Sequence, residues 1–143
     1  MLPAIFGLIG VIVGGFLNGA VQWKIASRAE RRASRAAARL VMDDLLQVEG
    51  EIDQALEDGV WGDLAASPPT LEAWTEHRTT LTSLPFRDWA MITNAVSFAR
   101  NVLREIRTGG LPEDPIPEAT VPRLRRLTET LVGAQKVLAL TAK

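Results

Sequence analysis

The sequence predicts an all-α fold, in which an N-terminal transmembrane helix continues into a cytoplasmic antiparallel helical bundle. Three observations predict it. The 22 residues from Leu2 to Trp23 carry no charge. The 16 residues that follow carry six basic side chains on one helical stripe. Beyond them apolar residues recur at spacings of three and four, with no sustained period-two alternation to mark a strand.

The first element, residues 1–23, reads as the anchor. A 22-residue helix is about 33 Å long, close to the roughly 30 Å of a hydrocarbon core. Asn18 and Gln22 are its strongly polar side chains, and both sit near the end where headgroups would begin. Trp23 stands where an interfacial aromatic belongs, with Lys24 just beyond it. A cleaved signal peptide fits poorly. No basic residue precedes the run, the run is longer than a typical signal core, and a dense basic stretch follows it. A buried core helix would not be apolar on every face for about six turns. Gly10 with Gly14 and Gly15 with Gly19 have the GxxxG spacing, and Gly7 lies one heptad before Gly14. Small residues at that spacing let helix backbones approach, so these five glycines are the expected self-association face. The general abundance of glycine in membrane helices would give the same pattern without association.

The second element, residues 24–39, is a basic juxtamembrane helix. Lys24, Arg28, Arg31, Arg32, Arg35 and Arg39 fall within an arc of about 100° on a continuous helix. Ala26, Ala29, Ala33, Ala36, Ala37 and Leu40 occupy the other side. The positive charge nearest the apolar run all follows it. This places the N-terminus outside the cell membrane and the C-terminal domain in the cytoplasm. With a Debye length of about 8 Å, Lys24 and Arg28, backed by Arg31 and Arg32, are placed to meet anionic headgroups. With Trp23 they form the membrane-surface and topology set. Arg35 and Arg39 lie farther along and call for another partner, such as acidic side chains or solvent. No aromatic interleaving accompanies the stripe, so nucleic acid is not an expected partner.

The third element, residues 40–143, reads as the helical bundle. Charge is sharply segregated along the chain: residues 24–39 carry +5, residues 40–63 carry −8, and the remainder carries +2. Val41, Leu45, Val48, Ile52 and Leu56 form the first apolar stripe, which "EDGVWGDLAASPP" interrupts. Leu71, Trp74 and Leu81 predict a helix opening at Thr70, with the stem of Arg78 along its core edge. Trp89, Ile92, Val96, Ala99, Leu103 and Ile106 predict another after Pro85. "GGLPEDPIPEATVP" is a loop, and Val121, Leu124, Leu127, Leu131, Ala134 and Leu138 carry the last helix. The distal half of the first helix and three further helices make an antiparallel bundle.

Reaction chemistry finds no foothold. With no cysteine and a single histidine, His77, thiolate sites and histidine-rich metal sites cannot be built within one chain. No phosphate loop, nucleophile elbow or calcium loop occurs, so neither an enzyme nor a bound cofactor is expected. Asp43, Asp44, Glu49, Glu51, Asp53, Glu57 and Asp58 scatter around their helix, as on a solvated face. Alternatively, some of them pair with Arg100, Arg104 and Arg107, or with Arg123, Arg125 and Arg126, on other helices. Trp61, Trp74 and Trp89 read as core or loop anchors, or else as a partner-binding aromatic patch.

The order of a glycine-rich span, an Arg/Ala-rich stretch and "LVMDDLLQVEGEIDQALEDGVW", then "LEAWTEHRTTL" and "DWAMITNAV", resembles a known group. These are short single-pass membrane proteins of high-GC Gram-positive bacteria and their phages. The resemblance covers roughly residues 5–100 and implies fold and topology, not an activity. The expected function is therefore a membrane-anchored binding or scaffolding module, homo-oligomeric and with an unidentified protein partner. The alternative is a phage or prophage effector acting on the envelope by superinfection exclusion or in a holin-like way.

Overall fold

The computed structural model describes the backbone of residues 2–143 and the side chains of residues 22–143. Five α-helices follow in order: α1 (Leu2–Asp58), α2 (Gly62–Ala66), α3 (Glu72–His77), α4 (Phe86–Gly109) and α5 (Val121–Thr141). A 3₁₀ turn at Thr80–Ser83 stands between α3 and α4. Among the described residues there is no strand, only one isolated antiparallel bridge between Val60 and Pro115. The fold is all-α.

The chain divides into two compact units, residues 1–33 and residues 34–143. In the first, the described side chains lie on the α1 surface, with Trp23 and Ile25 well exposed. Among the described residues no helix is long and apolar enough to cross a membrane. The uncharged run through Val21, with its five glycines, lies outside the residues whose side chains are described.

The second unit is an up-down-up-down bundle whose second leg is broken. Its first leg is residues 34–58 of α1. Val41, Leu45, Val48 and Ile52 are fully buried, and Ala55 closes the stripe where Leu56 is only half-buried. The buried face also reaches back to Ala37, Ala38 and Ser34, so the core takes in the last turns of the basic segment. A small side chain there lets a neighbouring helix approach, which is why alanine suffices. α1 ends at Gly59, where φ is +72°, and the Gly59 N–H donates to the Ala55 carbonyl at 2.9 Å. Only glycine takes that left-handed conformation without steric cost.

The chain then returns along α1 in short pieces. α2 buries Leu64, α3 buries Trp74, and the 3₁₀ turn buries Leu81. The single helix expected from Thr70 is thus two pieces, and Arg78 is exposed instead of lining the core. The cause is local. Thr79, Thr80 and Thr82 are β-branched and weak helix formers. The Thr82 hydroxyl donates to the Thr79 carbonyl at 2.6 Å, and Ser83 donates to Thr80 at 3.4 Å, favouring a tight turn over α-helix.

α4 and α5 are the regular legs. α4 buries Ile92, Ala95, Val96, Ala99, Val102, Leu103 and Ile106; α5 buries Leu124, Leu127, Leu131, Ala134 and Leu138. Asp88 in the first turn of α4 and Arg107 in its last both suit the helix dipole. Pro122 starts α5 where a missing N–H costs nothing. Glu105 meets Arg123 across the α4–α5 turn; Arg39 donates to the Ala142 carbonyl and Gln135 to Glu49 at 2.6 Å, so α5 runs antiparallel to both α4 and α1. At one end of the bundle two loops pair through their backbones. Trp61 N donates to Asp114 O at 3.2 Å, Gly62 N to Pro112 O at 2.8 Å, and Ile116 N to Gly59 O at 3.0 Å. The clasp seats the Trp61 ring against Gly110.

A Cβ on Gly110 would lie 3.1 Å from Trp61 Cδ1 and 3.3 Å from the Ile106 carbonyl, whereas one on Gly50 would meet nothing within 4 Å. G110A is therefore expected to lower stability by about 1–2 kcal/mol, because the indole must shift. G50A, in a helix interior, is expected to raise it by about 0.5–1 kcal/mol. Urea unfolding of both variants checks the contrast, and equal effects would contradict the packing described.

Candidate functional site

Each residue of the membrane-surface set can be placed from its own position on α1. Trp23, Lys24, Arg28, Arg31 and Arg32 are all exposed, Trp23 by 75%. A tryptophan this open in water leaves most of its apolar surface unburied, which suits an interface better than a folded core. The Ser27 hydroxyl donates back to the Lys24 carbonyl at 3.1 Å. Ala26, Ala29 and Ala33, on the alanine side of this stretch, are exposed too.

The upper part of the basic segment belongs to the bundle. Arg39 donates from Nη2 to the Ala142 carbonyl at 3.2 Å. That carbonyl lies just past α5, where helix carbonyls lack intrahelical partners and a cation suits the dipole. The partner that Arg39 requires is a helix C-terminus, not a carboxylate. Leu40, expected on the apolar side, is 46% exposed.

The pairing of the α1 acids with arginines of α4 and α5 is not found among the described residues. Glu49 instead accepts from Gln135, Glu51 from Gln47 at 3.0 Å, and Asp58 from Gln54 at 2.8 Å. No three His, Asp or Glu side chains among the described residues converge as a metal site would require. Arg123 donates to Glu105 from both terminal guanidinium nitrogens, Nη1 to Oε2 and Nη2 to Oε1, the latter at 3.0 Å. This hydrogen bonding holds the Glu105 carboxyl below the usual carboxylate range and pushes Arg123 up. Both side chains are largely exposed, so the pair sets register more than it supplies stability. It also offsets two unfavourable placements, an acid near the C-terminal end of α4 and a base near the N-terminal end of α5.

Asp44 is the polar group that ties the first leg to the second. Its Oδ2 accepts the Ala73 backbone N–H at 2.9 Å, satisfying a donor in the first turn of α3. Burial raises the Asp44 carboxyl above its ordinary value, against the lowering effect of the Ala73 bond, and Glu72, Asp43 and Glu76 add like-charge repulsion. Trp74 lies beside Trp89, with ring centroids 6.4 Å apart and planes tilted by 44°. Trp61 and Trp74 are buried and Trp89 is half-buried, which makes all three anchors within the unit. His77 is half-buried, its Nε2 3.9 Å from Glu76. Comparison with known protein families, with curated proteins and with solved structures gives no match.

The Asp44 geometry has a testable sign. A group whose folded-state value is raised contributes its stability below the unfolded value and loses it as pH rises through the folded one. At neutral pH the charged carboxylate is therefore the unfavourable form. D44N keeps an acceptor for Ala73 and removes the charge, so it is expected to melt at or above the wild type at pH 7. That difference should shrink as pH falls through the ordinary aspartate range and vanish at about pH 2–3, where Asp44 is protonated in both states. D44A loses the acceptor and should cost about 1 kcal/mol at either pH. A D44N protein that melts below the wild type at pH 7 would contradict the assignment.

Proposed function

We propose that the chain is a single-pass membrane protein whose helical bundle is a cytoplasmic binding or scaffolding module, and that it self-associates. The observation that carries this reading is the uncharged run Leu2–Trp23 closed by Trp23, Lys24 and the arginines. Such a run has the length of a bilayer core, and its flank has the charge that holds a segment on the cytoplasmic side. Two structural features support it. α1 carries both the run and the first leg of the bundle, without an interruption between Leu2 and Asp58. Trp23 and Ile25 are large apolar side chains left exposed among the described residues. The bilayer is the first partner, with anionic headgroups met by Lys24, Arg28, Arg31 and Arg32. A helical unit of the size of residues 34–143 exceeds what membrane permeabilisation requires, which favours the scaffolding reading over the holin-like one.

Orientation is tested by single cysteines, which the native sequence lacks. One placed near the N-terminus should react with an impermeant thiol reagent on intact cells, and one placed near Lys143 should be spared. The reverse pattern would overturn the topology, and labelling of neither until lysis would overturn the span.

Association is tested at the glycines. Replacing Gly10 and Gly14 with leucine adds bulk to the proposed helix face without charge, so insertion should persist while crosslinked oligomers diminish. The pair Gly15 and Gly19, on another part of the helix surface, is the internal comparison. An oligomer distribution unchanged by both double substitutions would remove these glycines from the interface.

A further inference from the structure

Arg100, Arg104 and Arg107 lie at spacings of four and three on α4, and all three line one groove of about 340 Å³. Its other wall is the second leg, at Pro69, Leu71 and Thr75. Arg100 is held in place: its Nη2 donates to the Leu71 carbonyl at 3.2 Å and to the Thr75 hydroxyl. Such a guanidinium is pre-ordered, so a ligand that meets it would not bear the entropy of fixing it. Neither Arg104 nor Arg107 enters an ion pair; among the described residues the arginine that does is Arg123, with Glu105. Glu72 is the one acid among the lining residues, so the groove keeps an excess of two positive charges. Leu71, Pro69 and Leu103 are buried side chains that give the same groove an apolar wall. The volume falls in the range of small-molecule sites.

We propose that this groove binds a phosphomonoester joined to a small apolar group. Three forked cations along about 10 Å of helix match the oxygens of a phosphate dianion, which accepts several charge-assisted hydrogen bonds at once. The leucine and proline wall takes the group that the phosphate carries. A carboxylate offers fewer oxygens and less charge, and it would leave one of the arginines without a partner. The site lies wholly within residues 34–143 and does not depend on the membrane reading. The phosphate can come from a soluble molecule or from a phosphatidic-acid headgroup.

The test is calorimetric titration of the purified full chain, in nonionic detergent, with phenyl phosphate and with inorganic phosphate. Saturable binding of about one phenyl phosphate per chain is expected, tighter than inorganic phosphate because the ring meets the apolar wall. R104Q/R107Q should weaken binding at least about tenfold, with each single variant in between. R125Q/R126Q removes the same charge from exposed positions on α5 and should change it by less than about twofold. Circular dichroism on each variant confirms that the helices persist. Phosphatidic acid added to the micelles should compete if the headgroup is the source, and should leave phenyl phosphate binding unchanged if the source is soluble. Absence of saturable binding to the wild type, or equal weakening by the two double variants, would overturn the proposal.

Discussion

The bundle depends on one dry helix face. Ala37, Ala38, Val41, Leu45, Val48, Ile52 and Ala55 of α1 are each under 5% exposed, and this stripe is the longest the second unit possesses. No other leg could replace it. The second leg is broken into turns too short to hold together alone, and a hairpin of α4 and α5 would leave its inner apolar residues open to water. Each fully buried leucine or isoleucine in the stripe contributes about 1.5–3 kcal/mol of transfer free energy. That outweighs any single polar contact in the unit.

The polar contacts have a different role: they fix register. Asp44 holds the first turn of α3 at a defined height on α1, Arg39 holds the end of α5, and Glu105 with Arg123 aligns α4 with α5. The loop clasp from Gly59 to Gly62 against Pro112 to Ile116 closes one end through backbone bonds. Moving any leg by one turn along its neighbour would break these contacts while leaving much of the apolar burial in place. They therefore select one packing among several of similar hydrophobic content.

The regular legs were legible because period and length agree. Ile92 to Ile106 and Leu124 to Leu138 keep spacings of three and four over many turns and those stripe residues are buried, while Trp89 and Val121, which open the two stripes, are half-buried. The segment from Thr70 to Ser83 was half legible. Leu71, Trp74 and Leu81 are buried as their spacing suggests, but spacing says nothing of whether the helix continues between them. The run of threonines carried that signal. The partners of the charged side chains were not legible. Glu49 meets Gln135 and Arg39 meets a backbone carbonyl, contacts set by the register of helices far apart in sequence. The groove on α4 was visible only as three arginines on one face, because its second wall comes from residues some thirty positions earlier.

The same face of α1 links the fold to the proposed role. Residues 34–58 are an integral leg of the unit that the proposed scaffolding role requires. Hydrogen–deuterium exchange on the full chain measures this directly. Amides of residues 41–55 should share the slow, cooperative exchange of residues 92–106 and 124–138, opening only with the whole unit. Exchange of residues 41–55 orders of magnitude faster than those two legs would show that α1 merely lies on the bundle, and would contradict the account.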